Sequence, residues 1–169
     1  MKSEQIDLRK LAPGESLQID VTDETATWCA ELLRLAQEGQ DREANYEDPE
    51  QFFRFKGELI HRKHPQYNRA FVLSGDIHVK YRTVCVNSLE PMTDVLDCPI
   101  DSCFVDDHLA QESELADEIE ISVGENMYDL YFYKDGKLDL KQTLWDLFTL
   151  NQNPLPKTKE FDETKYWQD

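Results

Sequence analysis

The chain has 169 residues, the length of one domain, and is 40 % hydrophobic and 11 % aromatic, too apolar for a disordered polymer. Eighteen Lys and Arg stand against 35 Asp and Glu, a formal net charge of -17. With no run approaching the ~20 apolar residues of a membrane span, and no apolar signal segment in Met1-Lys2-Ser3-Glu4-Gln5, these figures exclude a transmembrane helix and a repeat array, and lead us to expect a cytoplasmic monomer.

In chain order, Leu17, Ile19 and Val21 alternate as a short strand after the turn at Pro13-Gly14. Thr22 and Asp23 are candidate caps for a helix whose stripe is Trp28, Cys29, Leu32, Leu33, Leu35 and Ala36, with Gly39 as its stop. Residues 40–50 read as a polar loop. Phe53, Phe55, Leu59 and His61 alternate with Arg54, Lys56, Glu58 and Ile60, and a second run follows through Phe71, Leu73, Gly75, Ile77, Val79, Tyr81, Thr83 and Cys85. The two predict a hairpin with a long loop over 61–68. A third strand is expected over Thr93–Val105, with its register open.

Beyond an acidic middle, Ile119, Ile121 and Val123 predict a strand, and Tyr128, Leu130, Phe132 with Tyr131 and Tyr133 predict another. Lys134-Asp135-Gly136-Lys137 is a turn. Asp139 then caps a helix, with Gln142 placed to complete a capping box and Leu140, Leu144, Leu147 and Phe148 as its buried stripe. Pro154 and Pro156 prevent its continuation. The expected fold is α+β: an antiparallel sheet or partly closed barrel with a helix near each end, as one domain over 1–156. Residues 157–169 read as a loose polar tail.

Catalytic signatures are missing. No phosphate-cradling glycine loop, nucleophile elbow or paired-histidine zinc motif occurs, and carboxylates near Cys85 raise rather than lower a thiol's pKa. Cys98 and Cys103, followed by His108 with Cys85 or His78 as a fourth donor, have loose spacing for zinc. Buried free thiols, no cofactor and no metal are therefore expected.

Charge is the main functional signal. Residues 1–84 hold 12 basic and 15 acidic residues, net -3, whereas 85–169 hold 6 and 20, net -14. Between Arg82 and Lys134 lie 13 carboxylates and no Lys or Arg. Such a stretch is either a solubilising face or an attractor of a basic partner, with Glu90, Asp94, Asp97, Asp101, Asp106 and Asp107 as candidate contacts. Arg54, Lys56, Arg62, Lys63 and Arg69, with Phe53, Phe55, Tyr67 and Phe71 interleaved, form the opposite feature. This basic hairpin either balances the acidic block or touches RNA.

The order of these motifs resembles the YceD family of large ribosomal RNA subunit accumulation proteins over nearly the whole chain. The likeness rests on Gly75 and Ile77, on Cys85, Leu89 and Pro91, on the acidic middle, and on Asp139-Leu140 before a helix and Leu155-Pro156. Asn87 and Ser88 stand where the family has an arginine and a second cysteine, so no thiol pair is carried over. The resemblance implies a non-enzymatic role in ribosome biogenesis. Joined to the charge pattern, it points to a basic ribosomal protein of the large subunit as partner, with direct rRNA binding through the hairpin as the alternative. Cys85, Leu89 and Pro91 are expected to shape the turn that leads into the acidic face.

Overall fold

The computed structural model describes residues 3–40, 50–108 and 120–152. Its strands are β1 (Gln5–Asp7), β2 (Ser16–Thr22), β3 (Phe52–His64), β4 (Asn68–Val84), β5 (Pro91–Asp106), β6 (Glu120–Val123), β7 (Asn126–Tyr133) and β8 (Lys137–Asp139). The helices are α1 (Thr27–Ala36) and α2 (Leu140–Asn151), with a 3-10 turn at Leu8–Lys10. Six strands form one sheet in the order β2-β3-β4-β5-β7-β6, and β1 pairs with β8 separately. The class is α+β. No helix among the described residues is long and apolar enough to cross a membrane.

Period-two alternation sorts the long strands into two faces. Ile19, Val21, Phe53, Phe55, Leu59, Phe71, Leu73, Ile77, Val79 and Tyr81 point to one side, where α1, α2 and the β1–β8 pair cover them. Trp28, Cys29 and Leu32 of α1 and Leu140, Leu144, Leu147 and Phe148 of α2 complete this main core. Phe148 is its hub, with Phe53, Tyr81 and Trp145 ring centroids 5.3–5.7 Å away. Lys141 Nζ to Glu31 Oε2, at 2.7 Å, ties the helices together. His61 is also buried here; its Nδ1–H donates to the Leu11 carbonyl at 2.7 Å and its ring stacks on Phe71.

Ala70, Val72, Cys103, Val105, Ile121, Val123 and Leu130 make a second, smaller core on the opposite face. There the sheet curls until His64 Nε2 reaches the Ser122 carbonyl at 3.0 Å. That side-chain bond is no strand ladder, so the sheet is open rather than a partly closed barrel. Nor is it wholly antiparallel: β5 and β7 run parallel, in the register Cys103 to Leu130 and Val105 to Phe132.

Several local expectations are corrected. Helix α1 begins after Ala26 without a side-chain cap; Asp23 instead accepts from the Phe53 amide at 3.0 Å, and Thr22 is occupied with Thr25. Leu35 is half-buried and lies outside the core. The β3–β4 loop has three residues, 65–67, because pairing persists from His61 to His64 and Asn68 adopts φ 63° to close the turn. Asp139 does cap α2, accepting from the Gln142 amide at 3.0 Å, but the Gln142 side chain bonds Asp146 rather than returning to the cap. The Lys134–Lys137 turn stands as expected, with Asp135 and Gly136 both at positive φ. The loop over 41–49, Ile119, the prolines at 154 and 156 and the tail lie outside the described residues.

Candidate functional site: the β4–β5 arm and the charged sheet face

Gly57 and Gly75 sit opposite each other where β3 crosses β4. A Cβ on either would overlap the main chain of the other strand. The close approach is why neither position carries a side chain.

β4 and β5 extend past the rest of the sheet and end in a turn over 85–90. Cys85 is buried; its amide donates to the Glu90 carbonyl at 2.9 Å, and the Leu89 amide donates to the Cys85 carbonyl at 2.8 Å. Pro91 opens β5 opposite Val84. Cys85 and Pro91 stand at the two ends of the turn, which is closed through the backbone of Leu89. Its side chain is 77 % exposed on a backbone with φ 59°, the left-handed region that β- and γ-branched residues avoid. Val86, also exposed, shares the turn, and Glu90 follows directly.

The uncovered face of β2–β5 is a grid of charges in register. One row is Thr22, Arg54, His78 and Asp97; the next is Asp20, Lys56, Asp76 and Pro99; a third is Gln18, Glu58, Ser74 and Asp101. His78 bonds Asp97, and Ser74 Oγ donates to Asp101 at 3.2 Å. Arg54 lies over the Phe52 ring, 4.2 Å from its centroid. The grid sets the two central basic residues among carboxylates.

The five basic candidates consequently do not form one patch. Arg62, Lys63 and Arg69 cluster at the β3–β4 tip, about 26 Å along the strand from Arg54 at ~3.3 Å per residue. Phe53, Phe55 and Phe71 are buried in the main core, unavailable for stacking on bases. Tyr67 is half-buried and stacked on His64.

The acidic candidates are spread as well. Glu90, Asp97 and Asp101 are exposed, the last two on the open face. Asp94 points to the helix side, accepting from the Tyr81 hydroxyl at 3.3 Å. Asp106 and Asp107 are half-buried at the far end of β5, about 40 Å from Asp94 at the same rise. Glu90 and Asp97 lie toward the arm, Asp97 in contact with His78, and Asp101 lies further along β5.

The thiols are placed against shared chemistry. A five-residue step in a strand puts Cys98 in the main core and Cys103 in the second, on opposite faces of the sheet. Burial pushes the Cys29 and Cys103 thiols up to about 12 and raises Cys98 too, which keeps them protonated and poorly nucleophilic.

A groove that the sequence did not signal lies between β7, β8 and α2. Its floor is the stacked pair Phe104 and Tyr131, centroids 5.6 Å apart, and Gln142, Asp146 and Lys137 stand on its rim. Its residues come from five elements, so no spacing marks it. No family model, no curated protein and no solved structure matches the chain.

Proposed function

We propose that this protein works by binding rather than by chemistry, as a cytoplasmic ribosome-biogenesis factor that supports accumulation of large-subunit rRNA by holding a basic ribosomal protein. The observation that carries the reading is the β4–β5 arm. Leu89 is held out in solvent on an unfavourable backbone, beside Val86, and the carboxylates Glu90, Asp97 and Asp101 follow with no Lys or Arg before Lys134. An exposed apolar anchor on an acid-rich strand pair suits an amphipathic basic segment: Leu89 holds, while Glu90 beside it and Asp97 and Asp101 further along β5 steer and select. The motif likeness to the YceD family supplies the ribosomal context. Direct RNA binding draws less support, because the basic residues are divided and the aromatic rings beside them are buried.

Purified protein would be offered, at moderate salt, the basic proteins extracted from large ribosomal subunits and, separately, large-subunit rRNA. Leu89→Asn suits the left-handed backbone and removes only the anchor, and it should lower protein capture without lowering stability. Glu90→Lys, Asp97→Lys and Asp101→Lys together should lower capture and flatten its salt dependence. Arg54→Glu, Lys56→Glu, Arg62→Glu and Lys63→Glu together should leave it intact. Retention of rRNA that only the hairpin reversal abolishes would overturn the proposal in favour of RNA binding.

A further inference from the structure

We infer that the groove between β7, β8 and α2 is a seat for a single arginine side chain, its guanidinium laid on the Tyr131 ring and facing Asp129 and Asp146. The inference rests on the reading that the partner is basic, and it names a second contact remote from the β4–β5 arm.

The groove has a volume of about 530 Å³, ample for one long side chain and its flanking main chain. Tyr131 is half-buried and backed by Phe104 at an interplanar angle of 27°, so the ring is held in place. A fixed ring face with one side packed is what a planar cation needs for stacking. Asp129 precedes Tyr131 by two residues and so shares its face of β7. Asp146 stands on α2, where the Gln142 amide nitrogen donates to its Oδ1 at 2.8 Å. That bond orients the carboxylate and leaves its other oxygen without a partner among the described residues.

Neither Asp129 nor Asp146 is in an ion pair among the described residues. Lys134, Lys137, Asp135 and Asp139 also line the groove, and Asp139 is committed to the cap of α2. The phenol of Tyr131 is raised by burial first and then by Asp129 and Asp146, so the field of both carboxylates falls on this ring. The same field that opposes a phenolate favours a guanidinium. This groove sets a fixed aromatic ring beside two carboxylates that form no ion pair among the described residues, whereas the cavity near the β3–β4 tip is lined by Arg9, Arg69 and the single carboxylate Asp106.

The test is a titration of the full-length isotope-labelled chain, followed by amide NMR, with the blocked tripeptide Gly-Arg-Gly and its neutral isostere Gly-citrulline-Gly. The arginine peptide should shift the Gln142 side-chain amide and the backbone amides of Tyr131 and Asp146, and the citrulline peptide should not. Tyr131→Leu should weaken the arginine peptide about fivefold or more, and Tyr131→Phe should retain it. Because Tyr131→Leu disturbs packing, the exposed pair Asp129→Asn and Asp146→Asn provides a second arm, expected to weaken binding about tenfold with the fold intact. Equal shifts with citrulline, or shifts spread over Asp97 and Asp101 and indifferent to these variants, would overturn the groove. Loss of the groove's response with ribosomal-protein capture preserved would overturn the groove alone. Peptide binding at Tyr131 with no capture of any basic ribosomal protein would keep the groove and overturn the function proposed above.

Discussion

Replacing Gly75 by alanine tests the architecture at its tightest point. Gly75 faces Gly57 across the β3–β4 ladder, and an added Cβ would meet the Lys56 carbonyl oxygen and the Gly57 Cα. Both are main-chain atoms, which cannot rotate away as a side chain would; the strands themselves must separate. Overpacking of this kind costs about 1–3 kcal/mol, and stretching one or two ladder hydrogen bonds adds about 1 kcal/mol each. The unfolded chain, made less flexible by alanine, returns about 0.4–1 kcal/mol. The net expectation is a loss of about 2–4 kcal/mol. In urea unfolding followed by tryptophan fluorescence, with a slope of about 2 kcal/mol per molar, the midpoint should fall by about 1–2 M. Gly57→Ala should behave alike, and the double variant should cost less than the two added together, because the first alanine opens the space the second needs. A midpoint shift below about 0.25 M for Gly75→Ala, or strict additivity, would refute the close approach.

Two further outcomes follow from the helix side. Leu144 is fully buried between α2 and the sheet, so Leu144→Ala should cost about 2–5 kcal/mol by the same assay, and a loss under about 1 kcal/mol would mean that α2 is not seated on the core. The carboxyl of Asp7 is lowered chiefly by its hydrogen bond from Arg9, and that of Glu31 chiefly by its bond from Lys141. A folded-state pKa below the unfolded one contributes stability above the ordinary carboxylate range near 4, and that contribution is lost as pH falls through the lowered value. Between about pH 5 and 3 the wild type should therefore lose more stability than Asp7→Asn with Glu31→Gln; parallel pH profiles would show that these exposed pairs contribute nothing.

The periodicities in this chain were informative because each reports a local geometry. Alternation at Phe53, Phe55 and Leu59 marks a strand with one buried face, and the 3.6-residue stripe through Leu140, Leu144 and Leu147 marks a helix with one. Both hold regardless of what covers the face. The same logic placed the Asp139 cap and the Asp135-Gly136 turn, whose causes lie within a few residues. It failed at Leu35, where the stripe is wider than the surface available to cover it, and at Thr22 and Asp23, whose side-chain oxygens are drawn to Thr25 and to the Phe53 amide before α1 begins.

What functional reading required was of a different kind. Charge counted along the chain made the acidic residues from Glu90 to Asp107 a block and the basic residues from Arg54 to Arg69 a patch. Strand pairing undoes both. A strand sends successive residues to opposite faces and carries them ~3.3 Å apart, so Asp94 and Asp97 part company, Arg54 and Arg62 separate, and Arg54 finds itself in a row with Asp97. The exposure of Leu89 depends on a left-handed backbone that a leucine does not announce. The Tyr131 groove depends on five elements meeting. Composition and local spacing determined that this is an acidic α+β chain with a helix near each end of the sheet-forming strands; which charges and rings share a surface was decided by long-range pairing, because proximity across strands is set by register and not by distance along the sequence.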